Sequence, residues 1–208
     1  MKTVLELLKE LVGVRSVTGT QEERDVARKI YDLIAEDPYF RENPDQFGLW
    51  DGGDALGRPV VWALKRGSGS RTVVFSGHYD TVGTACYGVF EPYALDPDAL
   101  KAAMSKNPPE DDDIRRDLAD GNWMFGRGTA DMKAGLALNL HALFEHVPGG
   151  VNVLATFVSD EENLSGGARQ AVGLYALLQE RFNLDYALAV ISEPIEREPG
   201  APHPFING

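Results

Sequence analysis

The sequence has a single cysteine, Cys86, among its 208 residues. A lone cysteine excludes an internal disulfide, and a free thiol without a chemical role is the simplest interpretation of it. Long apolar runs are also missing, since no stretch approaches the roughly 20 apolar residues of a membrane helix. The N-terminal segment, MKTVLELLKELVG, is amphipathic and contains acidic residues, unlike a signal peptide. We therefore expect a cytoplasmic protein with no membrane partner.

Basic residues are scarce as well, with 20 Lys and Arg against 32 Asp and Glu and a net charge of −12. Because nucleic-acid affinity rests largely on clustered Lys and Arg, this balance disfavours nucleic acid and anionic membranes as partners. The hydrophobic content of 43% is ordinary for a globular protein. A chain of this length can bury roughly 70% of its unfolded surface as one domain. The composition therefore predicts a soluble, folded body with a single core.

The first third of the chain shows helical and then strand patterns. Apolar residues recur at helical spacing over residues 5–12, and TQEE at 20–23 has the form of a capping box that opens a second helix. Residues 58–67 and 71–78 are apolar and are separated by the turn-forming SGS. We interpret these two segments as neighbouring strands that form an antiparallel pair.

The middle of the chain differs from the remainder. Residues 84–120 are rich in proline and acidic side chains, and we interpret them as a surface excursion with one short helix around 98–104. From Asp131 onward, helical and buried-strand patterns alternate, ending in a strand over 186–192. This alternation predicts an α/β fold with a layered sheet.

The segment SGHYDTVG, residues 76–83, ends the second apolar strand with a histidine and an aspartate two positions apart. Side chains at i and i+2 of a strand point the same way, so His78 and Asp80 share one face. A carboxylate behind an imidazole fixes its tautomer, as is common for a metal-binding histidine. For this pair alone, a histidine and an aspartate that merely cap a turn are the simpler alternative.

More carboxylates follow the later strands. One buried strand is followed directly by Asp160, Glu161 and Glu162, and the next by Glu193. Binding sites of α/β sheets gather at such strand ends. Asp131 lies in a glycine-flanked turn just before a helix, where N-capping is the alternative role.

A cluster of one histidine and several acids would be an unbalanced charge that is expensive to bury. A divalent cation would compensate it. Imidazole with carboxylates is a ligand set for zinc, with manganese or cobalt possible. One carboxylate that bridges two such ions would make a two-metal hydrolytic site.

Four segments, GHYDTV, GRGTADMKAG, SDEENLSGGA and ISEP, occur in an order and spacing that resemble a known family. It is the family of aminoacylase, carboxypeptidase G and succinyl-diaminopimelate desuccinylase, the co-catalytic zinc hydrolases of peptidase family M20. The opening LVGVRSVTGTQEE resembles the start of that family, so the match covers nearly the whole chain. The long segment before GNWMFGRGTADMK is most similar to the RocB-like branch associated with arginine utilisation.

The resemblance implies a three-layer αβα sandwich with a mixed, mostly parallel sheet. It also implies two divalent metal ions, most simply zinc. His78 and Glu193 would bind one ion, Glu162 would bind the other, and Asp131 would bridge them. A non-proline cis peptide after Asp131 is expected as well.

The same resemblance implies the catalytic roles. Glu161 matches the general base, which would take the proton of the attacking water and return it to the leaving amine, and Asp80 would orient His78. The substrate would be a small peptide or an N-acyl amino acid. The main alternative is a non-catalytic metal-binding or interaction module that retains the fold, and the carboxylate of Glu161 favours the enzyme.

Relatives of this kind are longer than 208 residues. We therefore expect residues 1–208 to form the N-terminal part of the catalytic domain, without the lid and dimerisation domain or the C-terminal part. A chain of this extent would bind metal but hydrolyse amides weakly or not at all. Its unfinished sheet edge could also support association, so a homodimer is possible.

Overall fold

A computed structural model of the protein describes residues 2–146 and 149–194. Their helices are α1 (Val4–Val12), α2 (Glu23–Glu36), α3 (Pro38–Glu42), α4 (Pro97–Lys106), α5 (Asp112–Asp120), α6 (Lys133–Glu145) and α7 (Gly166–Phe182). Their strands are β1 (Phe47–Trp50), β2 (Val60–Lys65), β3 (Arg71–His78), β4 (Asn152–Val158) and β5 (Asp185–Ile191). A kinked 3₁₀ segment, Ala85–Tyr93, follows the end of β3.

The strands form one sheet in the order β1-β2-β4-β3-β5. Strand β2 is antiparallel to both of its neighbours, whereas β3 is parallel to β4 and to β5. Among the described strands, four therefore run in one direction and β2 runs against them. The predicted mixed, mostly parallel sheet is confirmed.

The predicted pairing of the second and third strands is wrong. Strand β4 lies between them, with Ala155 opposite both Ala63 of β2 and Phe75 of β3. Every residue of β4 is buried. A strand that is apolar on both faces is best buried at the centre of a sheet, and this long-range gain outweighs a local hairpin through the SGS turn.

Helices cover both faces of the sheet, because alternate side chains of each strand point in opposite directions. On one face, Ala63 and Phe157 pack into a core with α1, α2 and α6. On the other face, Leu64 and Leu154 pack against α7. The αβα sandwich is thus confirmed. The strand ends that carry the candidate site residues lie along one edge of its middle layer.

Two local predictions differ from the structure. The capping box forms at α1, where Thr3 and Glu6 exchange hydrogen bonds, and not at TQEE, where the Thr20 hydroxyl donates to the Val17 carbonyl at 2.6 Å. The surface excursion contains α4, as predicted, and also α5, whose N-terminus is capped by Asp111. The acidic residues at 111–113, in a segment interpreted as largely irregular, therefore start a helix, where negative charge is favourable. None of the helices in the described ranges is long and apolar enough to cross a membrane.

Candidate metal centre

The ends of three neighbouring strands form the candidate site. Because β3, β4 and β5 are parallel, their carboxyl ends meet at one edge of the sheet. His78 is the last residue of β3, Glu161 and Glu162 follow β4, and Glu193 follows β5. Asp131 reaches the same edge from the turn before α6, and its peptide bond to Met132 is cis, as expected. The topology brings residues from four distant parts of the sequence together.

The imidazole of His78 lies at the centre of this group. Its Nε2 atom is 3.0 Å from Oδ1 of Asp131, 3.7 Å from Oε1 of Glu193 and 3.8 Å from Oε2 of Glu161. One ligand atom each from His78, Asp131 and Glu193 can be chosen so that all three lie within 4.8 Å of one another. The His78 side chain is 1% exposed, whereas that of Asp131 is 55% exposed. The cluster is therefore rooted in the core and open to solvent on one side.

The other ring nitrogen of His78, Nδ1, contacts Asp80. The Nδ1 atom of His78 is 3.0 Å from the Asp80 carbonyl oxygen and 3.5 Å from its carboxylate Oδ1. The shorter contact is thus to the main chain, where the sequence predicted the carboxylate. Burial opposes charge on the ring, but the hydrogen bonds and charges of Asp80 and Glu193 outweigh it and raise the pKa of His78 to about 11. With Nδ1–H donated to Asp80, Nε2 is the atom that faces the carboxylates.

The carboxylate of Asp80 has a further role that the sequence did not reveal. It accepts hydrogen bonds from the Thr18 hydroxyl at 2.9 Å and from the backbone N–H groups of Glu161 and Glu162 at 3.1 and 3.3 Å. Burial acts to raise the pKa of Asp80, but the hydrogen bonds, above all that with His78, lower it. Asp80 therefore links the strand end of β3 to the loop after β4.

The side chain of Glu162 stands apart from the His78 triplet. It does not belong to the group of ligand atoms within 4.8 Å found in the described ranges. Burial, followed by the negative charge of Asp131, raises the pKa of Glu162. Glu162 therefore lies in the same acidic environment, beside the triplet and not inside it.

The negative charge of the cluster indicates whether a divalent cation would fit there. In the part of the chain that the structure describes, no Lys or Arg forms an ion pair with Asp131, Glu161, Glu162 or Glu193. The buried Lys133 donates to the Val14 carbonyl at 2.8 Å, and burial lowers its pKa to about 7. Carboxylates that converge on one imidazole without a Lys or Arg partner are a donor set that suits a divalent metal ion.

Two glycines allow close approach behind the site. A Cβ at Gly135 of α6 would overlap the main-chain oxygen of Ser192, next to Glu193. A Cβ at Gly167 of α7 would overlap the backbone of Ser159, just before the loop after β4. Both helices therefore pack closely against segments that carry candidate ligands.

A second buried group behind the site was missed by sequence reasoning. Glu23 and Arg58 are 0% and 7% exposed, and both contact Asp160, the residue before Glu161. The sequence pattern places Glu23 in a capping box at the helix surface, so it gives no indication that this side chain is buried. The single cysteine is not part of the cluster: Cys86 is exposed, and its Sγ accepts a hydrogen bond from Arg127 at 3.0 Å.

The sequence pattern of Peptidase family M20/M25/M40 matches residues 74–204 of this chain. The chain belongs to this peptidase family. It is 34% identical over 202 residues to YqjN of Bacillus subtilis (strain 168), covering 95% of this chain and 37% of YqjN. It is 33% identical over 195 residues to RocB of the same organism, covering 88% of this chain and 34% of RocB. The RocB-like branch is thereby supported, and the chain spans about a third of the length of these relatives.

A solved structure confirms the fold. Human carnosine dipeptidase 1 aligns with 93% of this chain and 38% of its own, with a TM-score of 0.62 and 19% identity. At this identity the likeness concerns the fold alone. Family membership therefore assigns the chain an M20-type hydrolase fold. Its reaction has to be argued from its own residues.

Proposed function

We propose that this chain carries the metal centre of a hydrolase that cleaves peptide or N-acyl amide bonds. The observation that supports it is the convergence of Asp131, Glu193 and Glu161 on the Nε2 atom of His78, at 3.0, 3.7 and 3.8 Å. Membership of a peptidase family makes amide hydrolysis the reaction class that fits such a group.

The proposed ligand assignment follows the sequence motifs. His78 and Glu193 would hold one divalent ion, Glu162 would hold a second, and Asp131 would bridge them. Zinc suits imidazole and carboxylate ligands, and cobalt or manganese would also be accepted. Bound cations of this kind acidify a water molecule and polarise the scissile carbonyl.

Glu161 is the proposed general base. Its side chain is 44% exposed, so its carboxylate is open to water while it remains within 3.8 Å of His78. It would take up the proton of the attacking water and then donate this proton to the leaving amine. Asp80 would act through His78 and the Glu161 backbone as a positioning residue.

The substrate and the setting are proposals of the same kind. We expect a small peptide or an N-acyl amino acid as substrate, and the similarity to RocB favours a role in arginine utilisation. A homodimer remains a proposal. Because the chain spans 37% and 34% of its relatives, we expect it to bind metal but to hydrolyse amides weakly or not at all by itself. Robust hydrolysis by the pure chain would contradict that expectation.

The first test is calorimetric titration of the purified chain with Zn²⁺. We expect one or two ions to bind, with binding lost or greatly weakened in His78→Ala and Glu162→Ala. His146→Ala is the matched control, because that imidazole contacts the Val151 carbonyl at 3.2 Å, at the end of α6 and outside the cluster.

Each outcome has a distinct meaning. Saturable binding that depends on His78 and not on His146 supports the metal centre. Absence of saturable binding in a chain shown to be folded by circular dichroism would contradict it. Tight binding without turnover in a longer protein that includes these residues would favour the non-catalytic module.

A further inference from the structure

We propose that Glu23 and Arg58 are positioning residues that hold the loop carrying Glu161 and Glu162 in the geometry that binds metal. The inference rests on the proposed function, because it concerns how that metal centre is assembled. It assigns a role to a buried ionic group that lies behind the centre and contains none of its ligands.

The Glu23 carboxylate is directed inward from the first residue of α2. Its Oε1 accepts from Arg58 Nη1 at 2.7 Å and from the Gly19 N–H at 2.8 Å, and its Oε2 accepts from the Asp160 N–H at 2.9 Å. The side chain is 0% exposed. A buried carboxylate is costly unless paired and hydrogen-bonded, and here both oxygens are used. One of its three partners is the main chain of the loop itself.

Arg58 reaches the same loop because of the sheet topology. Strand β2 is antiparallel to β4, so the residues before β2 lie beside the residues after β4. The guanidinium donates to Oδ1 of Asp160 at 2.9 Å through the same Nη1 that contacts Glu23. Its other side forms a two-point contact with Asp54, at 2.9 and 2.7 Å. A planar guanidinium can serve three carboxylates at once, which a lysine ammonium cannot do in this geometry.

Asp160 is thereby fixed through its backbone and its side chain. It has a φ of 63°, in the left-handed region that is uncommon for residues other than glycine. Its Oδ2 accepts from the Gly166 N–H at 3.3 Å, and its carbonyl accepts from the Ser165 N–H at 2.7 Å. Hydrogen bonds to Asp160 therefore close the turn after β4.

Two separate groups of residues hold the loop after β4 in place. Glu23 and Arg58 hold Asp160, while Asp80 accepts from the N–H groups of Glu161 and Glu162 at 3.1 and 3.3 Å. Carboxylates of like charge repel one another, so a loop that presents two of them to an acidic cluster needs external anchors. The Glu23–Arg58 pair supplies an anchor at Asp160, the residue before Glu161.

Substitution of Asp54 can distinguish a role in positioning the loop from a role in stability alone. Asp54 accepts hydrogen bonds from Arg58 and from the Leu56 and Arg58 backbone N–H groups, and no hydrogen bond or ion pair joins it to the described loop after β4. Asp54→Asn therefore weakens the same ionic group without loosening Asp160. In Glu23→Gln the new amide N–H₂ must face either the Asp160 N–H or the Gly19 and Arg58 donors, so one side of the anchor is lost in either orientation while size is kept.

The experiment is a titration of the chain with Co²⁺, followed by calorimetry and by visible absorption of the bound ion. For Glu23→Gln we expect Co²⁺ affinity about tenfold weaker, the scale typical of residues that orient metal ligands, together with an altered absorption band. Arg58→Lys should weaken affinity in the same direction and provides a second variant that retains the charge. Asp54→Asn should lose stability in urea yet keep the affinity and the band of the unmodified chain.

The outcomes distinguish the two proposals. If the unmodified chain does not bind Co²⁺, both the proposed function and this inference are overturned. If it binds Co²⁺ and the folded Glu23→Gln and Arg58→Lys variants bind equally well, only this inference is overturned. If Asp54→Asn loses affinity in proportion to its stability, as the other variants do, the group is structural and the positioning role is also overturned.

Discussion

The Asp80 carboxylate accepts a hydrogen bond from the Glu161 backbone N–H at 3.1 Å. The same residue contacts the Nδ1 atom of His78 through its carbonyl oxygen at 3.0 Å. One residue thus joins the proposed metal-binding imidazole to the proposed general base, although 81 residues separate Asp80 from Glu161. Orientation of the ligand and placement of the base are therefore coupled.

Substitution of Asp80 by asparagine should damage both stability and metal binding. An amide has one acceptor oxygen, so it cannot accept from Thr18, Glu161 and Glu162 together. We expect the free energy of unfolding in urea to fall by about 1–3 kcal/mol and Zn²⁺ affinity to fall roughly 10- to 100-fold. Thr18→Ala, which removes one of the three donors, should show a smaller loss of both. Unchanged affinity in Asp80→Asn would contradict the coupling.

Metal removal should lower the melting temperature of the chain. A ligand that binds only the folded state at about 100 times its dissociation constant contributes about 2.7 kcal/mol to stability. We expect thermal unfolding followed by circular dichroism to shift upward with Zn²⁺ and to return to the starting value with a chelator. His78→Ala should show no shift, and His146→Ala should shift as the unmodified chain does.

Two helix glycines should respond in opposite ways to alanine. In α6, a Cβ at Gly135 would overlap the Ser192 carbonyl and displace the segment that carries Glu193, so metal affinity should fall. In α7, a Cβ at Gly173 would meet only Trp50, at an ordinary 3.8 Å. There we expect about 0.5–1 kcal/mol of added stability and unchanged affinity. Urea unfolding and calorimetry of the two variants test this contrast.

Acid should remove the stability contributed by Asp54. Hydrogen bonds from the Arg58 guanidinium outweigh burial and lower the pKa of Asp54 from 3.8 to about 2. A carboxyl group with a lowered folded-state pKa stabilises the protein above pH 3.8, and this contribution declines as the pH falls toward 2. The contribution at neutral pH is about 1–2 kcal/mol.

Urea unfolding of the unmodified chain and of Asp54→Asn between pH 3 and 7 measures this effect. The difference between the two proteins should be constant from about pH 5 upward and should shrink below pH 4. A difference that stayed constant down to pH 3 would show that Asp54 is not stabilised by Arg58 in the folded state.

The residues proposed to carry the chemistry could be placed at strand ends from the sequence because the relevant signal is local. His78 ends an apolar strand, and Glu193 follows another, so the hydrophobic pattern predicted their place at strand ends, whereas their proposed roles came from the family resemblance. Such patterns report burial along one segment, and they predicted the α/β class and α4 correctly. They missed α5, which lies in the proline-rich and acidic segment that was predicted to contain one helix only.

Long-range partners were beyond the sequence. The insertion of β4 between β2 and β3 depends on the burial of β4 on both faces, which no pattern within β2 or β3 reports. The inward turn of Glu23 depends on Arg58, 35 residues away, which approaches only because β2 is antiparallel to β4.

The sequence by itself determined which residue types stand at the strand ends, and with them the class of chemistry that we propose. Periodic burial is a property of each segment, so it is written in the order of residues. Only the tertiary structure decided that Asp80 would hold the Glu161 backbone and that Glu23 and Arg58 would anchor Asp160. Hydrogen bonds need atoms within about 3 Å, and such proximity arises only when the sheet order brings distant segments to one edge.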